Sequence, residues 1–165
     1  MLRKKDVKNL ESRLLKRFVF DAGPFILLFT NEKGSSLARE AVSLHEKGEI
    51  EIFIHPNNLV EAYRVIYRIR KEKPKLLAKD VDPEMVIRSA YATLNVIQDE
   101  KTTVRLGVLK LKYEDKPWGD LSSAALALCL SDVHAQSVPV IVLNEETHFK
   151  GFEEVAAVKI SDLKL

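Results

Sequence analysis

Short continuous apolar runs, separated by longer amphipathic stretches, set the hydrophobic pattern of this chain. Runs of this length, bounded by polar or turn-forming residues, predict buried strands. Strands are predicted over residues 17–20, 49–54, 95–98, 138–143 and 156–160. Between them, apolar residues recur at helical spacing, with Pro, Asp or Gly near several of the expected helix ends. Helices are predicted over residues 1–16, 35–47, 56–71, 82–94, 101–113 and 120–133.

Strands that alternate with helices in this order predict a mostly parallel central sheet of four to five strands, covered by helices on both faces. The expected architecture is therefore a three-layer α/β/α sandwich. No internal repeat or linker divides the chain, so residues 1–165 are expected to form one domain, with residues 1–16 as an N-terminal helical extension. In such sheets, ligands bind beyond the carboxyl ends of the strands.

Composition narrows the environment and the partners that we expect. With 46% hydrophobic residues the chain can bury a core, and a net charge of only +2 leaves attraction for nucleic acid to local basic patches. A single cysteine, Cys129, cannot form an internal disulfide and favours a reducing compartment. The apolar run after the basic N-terminus is broken by Asp21, Gly23 and Pro24 and is too short to span a bilayer. We therefore expect a cytoplasmic protein without a membrane partner.

Acidic residues stand where the predicted strands end. Asp21 closes the first strand, Glu61 lies one turn into the helix after the second, and Asp120 opens the helix that leads into the fourth. Glu145 and Glu146 directly follow that fourth strand. Because the carboxyl ends of parallel strands share one edge of a sheet, we expect these side chains to gather there.

A group of four carboxylates is costly without cations, because like charges raise one another's pKa. Hard divalent ions prefer oxygen ligands, and no Cys or His ligand pair lies nearby, so the pattern indicates Mg²⁺ or Mn²⁺ rather than Zn²⁺. Such a site can polarise a phosphate and activate water. Each acid also has a plainer explanation: Asp21 as a turn-forming residue, Asp120 as a helix cap, Glu61 as a solvated helix residue, and Glu145 and Glu146 as parts of a surface loop.

Four segments carry these acids in order. Residues 18–26 (FVFDAGPFI) hold a strand and its aspartate, and residues 55–61 (HPNNLVE) hold the second acid. Residues 119–127 (GDLSSAALA) place Asp before an apolar, small-residue helix, and residues 140–149 (VIVLNEETHF) end a strand in an acidic turn and a Phe. Together these segments resemble the PIN-domain family, the small nuclease fold of many prokaryotic toxins, including the VapC type, of toxin–antitoxin pairs.

The resemblance implies an endoribonuclease that acts on single-stranded or structured RNA with Mg²⁺ or Mn²⁺ and tends to form homodimers. It also implies a small antitoxin protein as a partner, and products with 5′-phosphate and 3′-hydroxyl ends. Carried over by position, the catalytic and metal-binding acids are Asp21, Glu61, Asp120 and Glu146.

The chain departs from the family pattern around two of its acids. The family usually has Asp three residues before the closing Phe, whereas this place holds Glu146, and Glu145 competes for the role. Ser or Thr often follows the first Asp and precedes the last acid, but here Ala22 and Asn144 stand there. Asn144 can still hydrogen-bond a ligand water, and Ala22 cannot. These departures keep a second hypothesis open, in which the domain is a catalytically weak or inactive RNA-binding or scaffold module.

A basic run begins on the helix after the second strand. Its cations are Arg64, Arg68, Arg70, Lys71, Lys73, Lys75 and Lys79, against the single acid Glu72. Phosphate oxygens are expected at Arg64 and Arg68, and Tyr63 and Tyr67 lie among them as candidate stacking residues. The alternative is a solvated helix face whose tyrosines serve the core or a dimer contact. Trp118 is interpreted as a packing or interface residue.

Other acidic α/β proteins fit less well. A phospho-receiver usually needs an acidic pair after its first strand, and a haloacid-type phosphatase needs Asp-x-Asp there, whereas this chain has Asp21-Ala22-Gly23. Neither a P-loop motif nor a glycine-rich dinucleotide fingerprint occurs, so nucleotide-binding folds gain no support.

Overall fold

The computed structural model describes residues 16–79, 81–144, 146–149, 151–152 and 154–165, with the backbone alone at residues 146 and 147. The predicted N-terminal helix therefore lies, apart from Lys16, outside the described residues. The strands are β1 (Arg17–Phe20), β2 (Glu51–Ile54), β3 (Asn95–Val96), β4 (Val140–Val142) and β5 (Ala157–Lys159). The helices are α1 (Ala22–Leu27), α2 (Ser35–Glu46), α3 (Pro56–Glu72), α4 (Pro83–Thr93), α5 (Glu100–Lys112), α6 (Trp118–His134) and α7 (Glu146–Phe149). Short 3-10 turns cover Pro74–Leu76 and Ile160–Asp162.

Within the described residues the five strands form one sheet in the order β3-β2-β1-β4-β5, and every pairing is parallel. In the central strand β1, Val19 is in register with Phe53 of β2 and with Val140 of β4. The chain places β2 and β3 on one side of β1 and then returns to place β4 on the other side. The ends of β1 and β4 therefore flank a topological switch point, where open α/β sheets bind ligands. The predicted parallel sheet is confirmed.

Alternation along β1 sends its side chains into two separate apolar cores. Phe18 and Phe20 belong to one core, and Val19 belongs to the other. Helices α1 to α4 complete the first core, and α5 and α6 complete the second. Helices thus cover both faces of the sheet, which confirms the predicted three-layer α/β/α sandwich. None of the described helices combines the length and the apolar character that crossing a bilayer requires.

The starts of α3 and α6 bring two of the predicted acids to the carboxyl edge of the sheet. His55 precedes α3, and its Nδ1 accepts a hydrogen bond from the backbone N–H of Asn57 at 3.1 Å. Burial lowers the pKa of His55, which favours the neutral ring that this bond requires. Helix α6 begins at Trp118, after Pro117, so Asp120 lies in its first turn and not at its N-cap. The explanation of Asp120 as a helix cap is therefore wrong.

Several local features differ from the prediction. Helix α1 starts directly after β1, where Gly23 and Pro24 suggest only a turn; proline is accepted there because first-turn N–H groups need no partner within the helix. The apolar stripe that predicts α5 lies on its exposed side, since Val104, Val108 and Leu111 are 61%, 55% and 80% exposed. The strands after β1 are one or two residues shorter at their ends than predicted, and α7 is a further unpredicted helix.

Candidate active site

A cavity of about 640 Å³ lies at the carboxyl ends of β1 and β4. It is lined by Asp21, which follows β1, by Glu61 of α3, by Asp120 of α6 and by His148 of α7. Two further acids and two cations also line it, namely Glu32, Glu72, Arg68 and Lys73. The structure thus brings three of the four predicted acids from three separate elements to one cavity.

Asp21 lies at the buried end of this cavity. The residue is 6% exposed, and its Oδ1 accepts hydrogen bonds from Asn58 Nδ2 and Ser123 Oγ, both at 2.8 Å. The pKa of this carboxyl rises from 3.8 to about 7, chiefly because burial disfavours the charged form. The bond from Ser123 lowers this pKa, and the charges of Asp120 and Glu61 raise it. Near neutral pH the site therefore favours a proton or a cation beside Asp21.

Asp120 is the second buried carboxylate, and it is also 6% exposed. It stands in the first turn of α6, where the partial positive charge of a helix N-terminus favours a carboxylate. Its Oδ2 lies 3.4 Å from Nδ1 of His148, whose side chain reaches solvent. A protonated imidazole would therefore be attracted to this carboxylate.

Glu61 reaches the site from the exposed surface of α3. Its Oε2 lies against the backbone of Gly119, and a Cβ built on Gly119 would collide with this oxygen. The absence of a side chain at Gly119 therefore lets the carboxylate approach the first turn of α6. Asn58 joins the same two helices, because its Nδ2 also lies 3.3 Å from the carbonyl oxygen of Gly119.

The sequence analysis missed three residues of this site, namely Asn58, Gly119 and Ser123. Asn58 and Ser123 are fully buried, and buried polar side chains in proteins are nearly always hydrogen-bonded. Their spacing is the one available signal, because Asn58 lies three residues before Glu61 and Ser123 three residues after Asp120. Each therefore shares a helix face with an acid.

The remaining predicted site residues do not all line the cavity. Helix α7 begins at Glu146, after β4, but the side chain of Glu146 and all of Glu145 lie outside the described residues. Asn144 is exposed and is not among the residues that line the cavity. Arg68 lines the cavity, whereas Arg64 borders a groove beside it.

The donors at this cavity are oxygen atoms, which suit a hard divalent cation. They are the carboxylates of Asp21, Asp120 and Glu61. Asn58 Oδ1 is a buried oxygen without a hydrogen-bond partner within the described residues, but Asn58 is not among the residues that line the cavity. Among the described residues, no three His, Cys, Asp or Glu side chains already converge as ligands of one ion. Glu61 is exposed and its carboxylate stands at the end of a flexible side chain, so it is the ligand whose position adjusts most easily.

Comparisons with known proteins bear on the fold. No family model and no curated protein matches the chain. A toxin–antitoxin complex from Klebsiella pneumoniae contains a chain that is 18% identical, with a TM-score of 0.52 over 87% of this chain and 97% of that one. VapBC2 from Rickettsia felis, bound to a DNA fragment from its promoter, contains another at 18% identity, with a TM-score of 0.55 over 86% and 98%. The resemblance to PIN-domain toxins is therefore confirmed as a resemblance of fold.

Proposed function

We propose that this protein is an endoribonuclease that hydrolyses RNA phosphodiester bonds with Mg²⁺ or Mn²⁺. The observation that carries the proposal is the meeting of Asp21, Glu61 and Asp120 in one cavity at the switch point of a parallel sheet. Two of these acids are buried, and clustered, desolvated carboxylates are typical of functional sites. The fold shared with chains of toxin–antitoxin complexes supports the same function.

In this proposal Asp21, Asp120 and Glu61 hold the ion, and Glu146 supplies the fourth acid. The raised pKa of Asp21 supports the fit, because a cation would replace the proton that burial and the neighbouring acids favour. When bound, the ion supplies the positive charge that polarises the phosphate and activates the attacking water.

The other residues of the site orient the ligands and the substrate. Asn58 and Ser123 both donate to Oδ1 of Asp21 and so orient its carboxylate. Arg68 lies at the cavity as a phosphate ligand, and His148 lies beside Asp120, with its Nδ1 3.4 Å from Oδ2 of that carboxylate. In the hydrolysis, the water oxygen bonds to phosphorus and the bond from phosphorus to the 3′ oxygen breaks. The water loses one proton and the 3′ oxygen gains one, which leaves 5′-phosphate and 3′-hydroxyl ends.

We further propose that this enzyme is the toxin of a toxin–antitoxin pair, that a small antitoxin protein binds it, and that it forms homodimers in the cytoplasm. The support is the fold, because the two structures described above that share it are toxin–antitoxin assemblies. The test is coexpression with the product of the adjacent gene. We expect copurification of the two proteins and RNA cleavage that is suppressed while they stay together.

The central experiment measures cleavage of single-stranded RNA with Mn²⁺, with Mg²⁺ and with EDTA, for the wild type and for Asp120→Asn. We expect cleavage that either ion stimulates and that the substitution abolishes. Asp132→Asn is the matched control, since Asp132 lies on the same helix but forms an exposed ion pair with Arg105. Cleavage that survives EDTA, or that Asp120→Asn leaves intact, would refute the proposal.

The alternative function is a catalytically weak or inactive RNA-binding or scaffold module. One observation favours it: Asn144, which stands where the resembling family often has Ser or Thr, is exposed and lies outside the cavity lining. If the protein binds RNA but does not cut it in the presence of any divalent ion, this alternative replaces the ribonuclease.

A further inference from the structure

Trp118 borders a groove beside the acidic cavity. It is the only tryptophan of the chain, and it is 54% exposed. The groove has a volume of about 590 Å³ and runs between α3 and the start of α6, with Arg64 and Arg68 on one helix and Pro117 and Trp118 at the other. More than half of this large aromatic residue is therefore exposed.

Hydrogen bonds fix the backbone at Trp118, and a lysine lies over its ring. The carbonyl oxygen of Trp118 accepts a hydrogen bond from Ser122 Oγ at 2.7 Å, and Ser122 Oγ accepts one from Asn57 Nδ2 at 2.9 Å. Lys110 Nζ lies 5.3 Å from the centre of the ring, within range of a cation–π interaction. Because Lys110 covers one face of the ring, a planar ligand would have to stack on the opposite face.

The cations of the groove are available to a ligand. Arg64 and Arg68 are exposed, and neither forms an ion pair within the described residues. Arg70 of the same helix, in contrast, pairs with Asp82. Two unpaired guanidinium groups one helical turn apart suit the successive phosphates of an extended strand, because guanidinium binds phosphate with directed hydrogen bonds.

The groove is continuous with the acidic cavity. Glu61, Val65 and Arg68 line both of them. A strand that lies along the groove is therefore led to the carboxylates without a break in the surface.

We propose that this groove binds single-stranded RNA beside the phosphate that is cut, with one nucleobase stacked on Trp118 and the backbone phosphates on Arg64 and Arg68. The inference rests on the proposed ribonuclease function for the position of the cut. Stacking needs an unpaired base with a free face, so the groove selects single strands over duplexes. Because every base has such a face, the groove contributes little base specificity.

The charges favour RNA over a protein segment in this groove. Arg64 and Arg68 line the groove with Trp118, against Glu61 as the one acid among its lining residues, and Lys110 lies over the Trp118 ring. A polyanion neutralises such a set of cations, whereas an apolar helix would not. A second groove, between α3 and α4, is lined by apolar side chains such as Leu59, Ile87 and Tyr91 and suits an apolar partner better.

The experiment titrates the protein with a short single-stranded RNA of mixed sequence in EDTA, so that binding is read without cleavage. Because Trp118 is the only tryptophan, its fluorescence reports on this groove alone. We expect the RNA to quench the emission and a duplex of the same sequence to quench it far less. Anisotropy of the labelled RNA then gives the affinity of each variant.

Two variants of Trp118 separate stacking from folding. Trp118→Ala is expected to weaken binding roughly five- to 150-fold, the range of one lost base stack. Trp118→Phe retains a ring and is expected to stay within a few fold of the wild type. Tyr91→Ala is the matched control, because Tyr91 is 61% exposed on α4 and lines only the apolar groove. Melting curves establish that each variant is folded.

Salt dependence tests the phosphate contacts. Arg68→Gln is expected to reduce the slope of log affinity against log salt by about 0.7, the value for one phosphate contact on a single strand. Arg88→Gln is the control, since Arg88 faces Glu84 on α4 at 3.8 Å. An unchanged slope for Arg68→Gln would contradict the assignment of this phosphate contact.

Three results would overturn the groove proposal. These are unchanged emission on RNA binding, wild-type affinity in Trp118→Ala, and emission that depends on protein concentration alone, which would place Trp118 in a protein interface. RNA that is cut but leaves Trp118 unaffected refutes the groove and spares the ribonuclease. RNA binding that requires Trp118 but never leads to cleavage refutes the ribonuclease and supports the groove.

Discussion

The candidate site has a buried floor and an exposed rim, which differ in what holds them. The floor comprises Asp21, Asn58, Asp120 and Ser123, and the rim comprises Glu61, Arg64, Arg68 and Trp118. Floor residues are at most 6% exposed, and three of them are joined by hydrogen bonds between α3, α6 and the end of β1. The rim residues are exposed, and the two arginines have no ion-pair partner among the described residues.

This difference separates two physical roles. In the floor, desolvation raises the pKa of Asp21, so the folded protein bears an electrostatic cost that a proton or a cation relieves. In the rim, the charged groups stay in water and cost the folded protein little free energy. They contribute mainly when a ligand binds. Changes in the floor should therefore alter stability and catalysis together, and changes in the rim should alter catalysis or binding alone.

The largest expected effect follows from Asp21→Asn. The amide has the same shape, and its Oδ1 can still accept the bonds from Asn58 and Ser123, so the fold should be kept. The charge is lost, however, and we expect cleavage to fall by more than the roughly 100-fold that loss of an outer-shell partner can cost. Cleavage assays and melting curves in EDTA measure the two effects. A melting temperature far below that of the wild type would contradict the inference that the buried charge of Asp21 lowers stability.

Asn58→Ala should produce the next largest effect. It removes the donor that bonds Asp21 Oδ1 and lies beside the carbonyl of Gly119. We expect cleavage to fall roughly 10- to 100-fold and the Mn²⁺ concentration for half-maximal activity to rise, because outer-shell donors orient the ligands of an ion. The loss of a buried bond to a charged group should also cost about 1.5–3 kcal/mol of stability.

The control for Asn58→Ala is Asn31→Ala, which removes a side-chain bond to the carbonyl of Leu77. Asn31 is not among the residues that line the cavity. This variant should lose stability and keep the wild-type Mn²⁺ dependence. Equal Mn²⁺ curves for the two variants would mean that Asn58 serves stability only.

Gly119→Ala disturbs the rim and leaves the floor nearly unchanged, because the added Cβ makes only an ordinary van der Waals contact, at 3.7 Å, with Asn58 Nδ2. The added Cβ displaces the carboxylate of Glu61, which lies at the end of a flexible side chain. A misplaced ligand should lower cleavage roughly 10-fold, within the loss that a displacement of about 1 Å can cause. Stability should be unchanged or slightly higher, because alanine favours a helix over glycine by up to about 1 kcal/mol.

Gly107→Ala is the matched control for that variant. Gly107 also lies in a helix, but a Cβ built there meets nothing within 4 Å. It should keep full activity and gain about 0.5–1 kcal/mol of stability. If both glycine variants cut RNA like the wild type, the close approach of Glu61 to α6 has no catalytic value.

The sequence predicts the floor only in part. Asp21 and Asp120 stand out because each interrupts an apolar pattern at the end of a strand or the start of a helix. Asn58 and Ser123 do not, because a single polar residue in a helix is compatible with burial or exposure until its partners are known. Their partners lie 37 and 102 residues away along the chain, beyond the reach of any local pattern.

The fold is predicted further than the site. A parallel sheet covered by helices on both faces follows from strands that alternate with helices, which needs only element types. The strand order β3-β2-β1-β4-β5 is not predicted from the sequence and comes from the structure. Exposure of a helix face is harder to predict, because Val104, Val108 and Leu111 of α5 form an apolar stripe that the structure nevertheless leaves exposed. The pattern identifies the helix but not the side that the neighbouring helix covers.

The last effect we predict is a pH dependence of stability that originates in the floor. The pKa of Asp21 is 3.8 in the unfolded chain and about 7 in the folded protein, so between these values the folded state binds more protons. Stability should therefore fall as pH rises through this window. Asp82 and Asp99 act in the opposite direction, because bonds from the backbone N–H groups of Glu84 and Thr102 lower their pKa.

Comparison with Asp21→Asn isolates the contribution of Asp21, since all other groups are common to both proteins. In EDTA, the melting temperature of the wild type relative to the variant should be lower at about pH 7.5 than at about pH 5, by about 2–4 °C for each kcal/mol lost. Mn²⁺ should remove this difference at the higher pH, because an ion that binds only the folded state stabilises it. Parallel pH curves for the two proteins in EDTA would show that Asp21 is ordinarily ionised and that the floor is not strained.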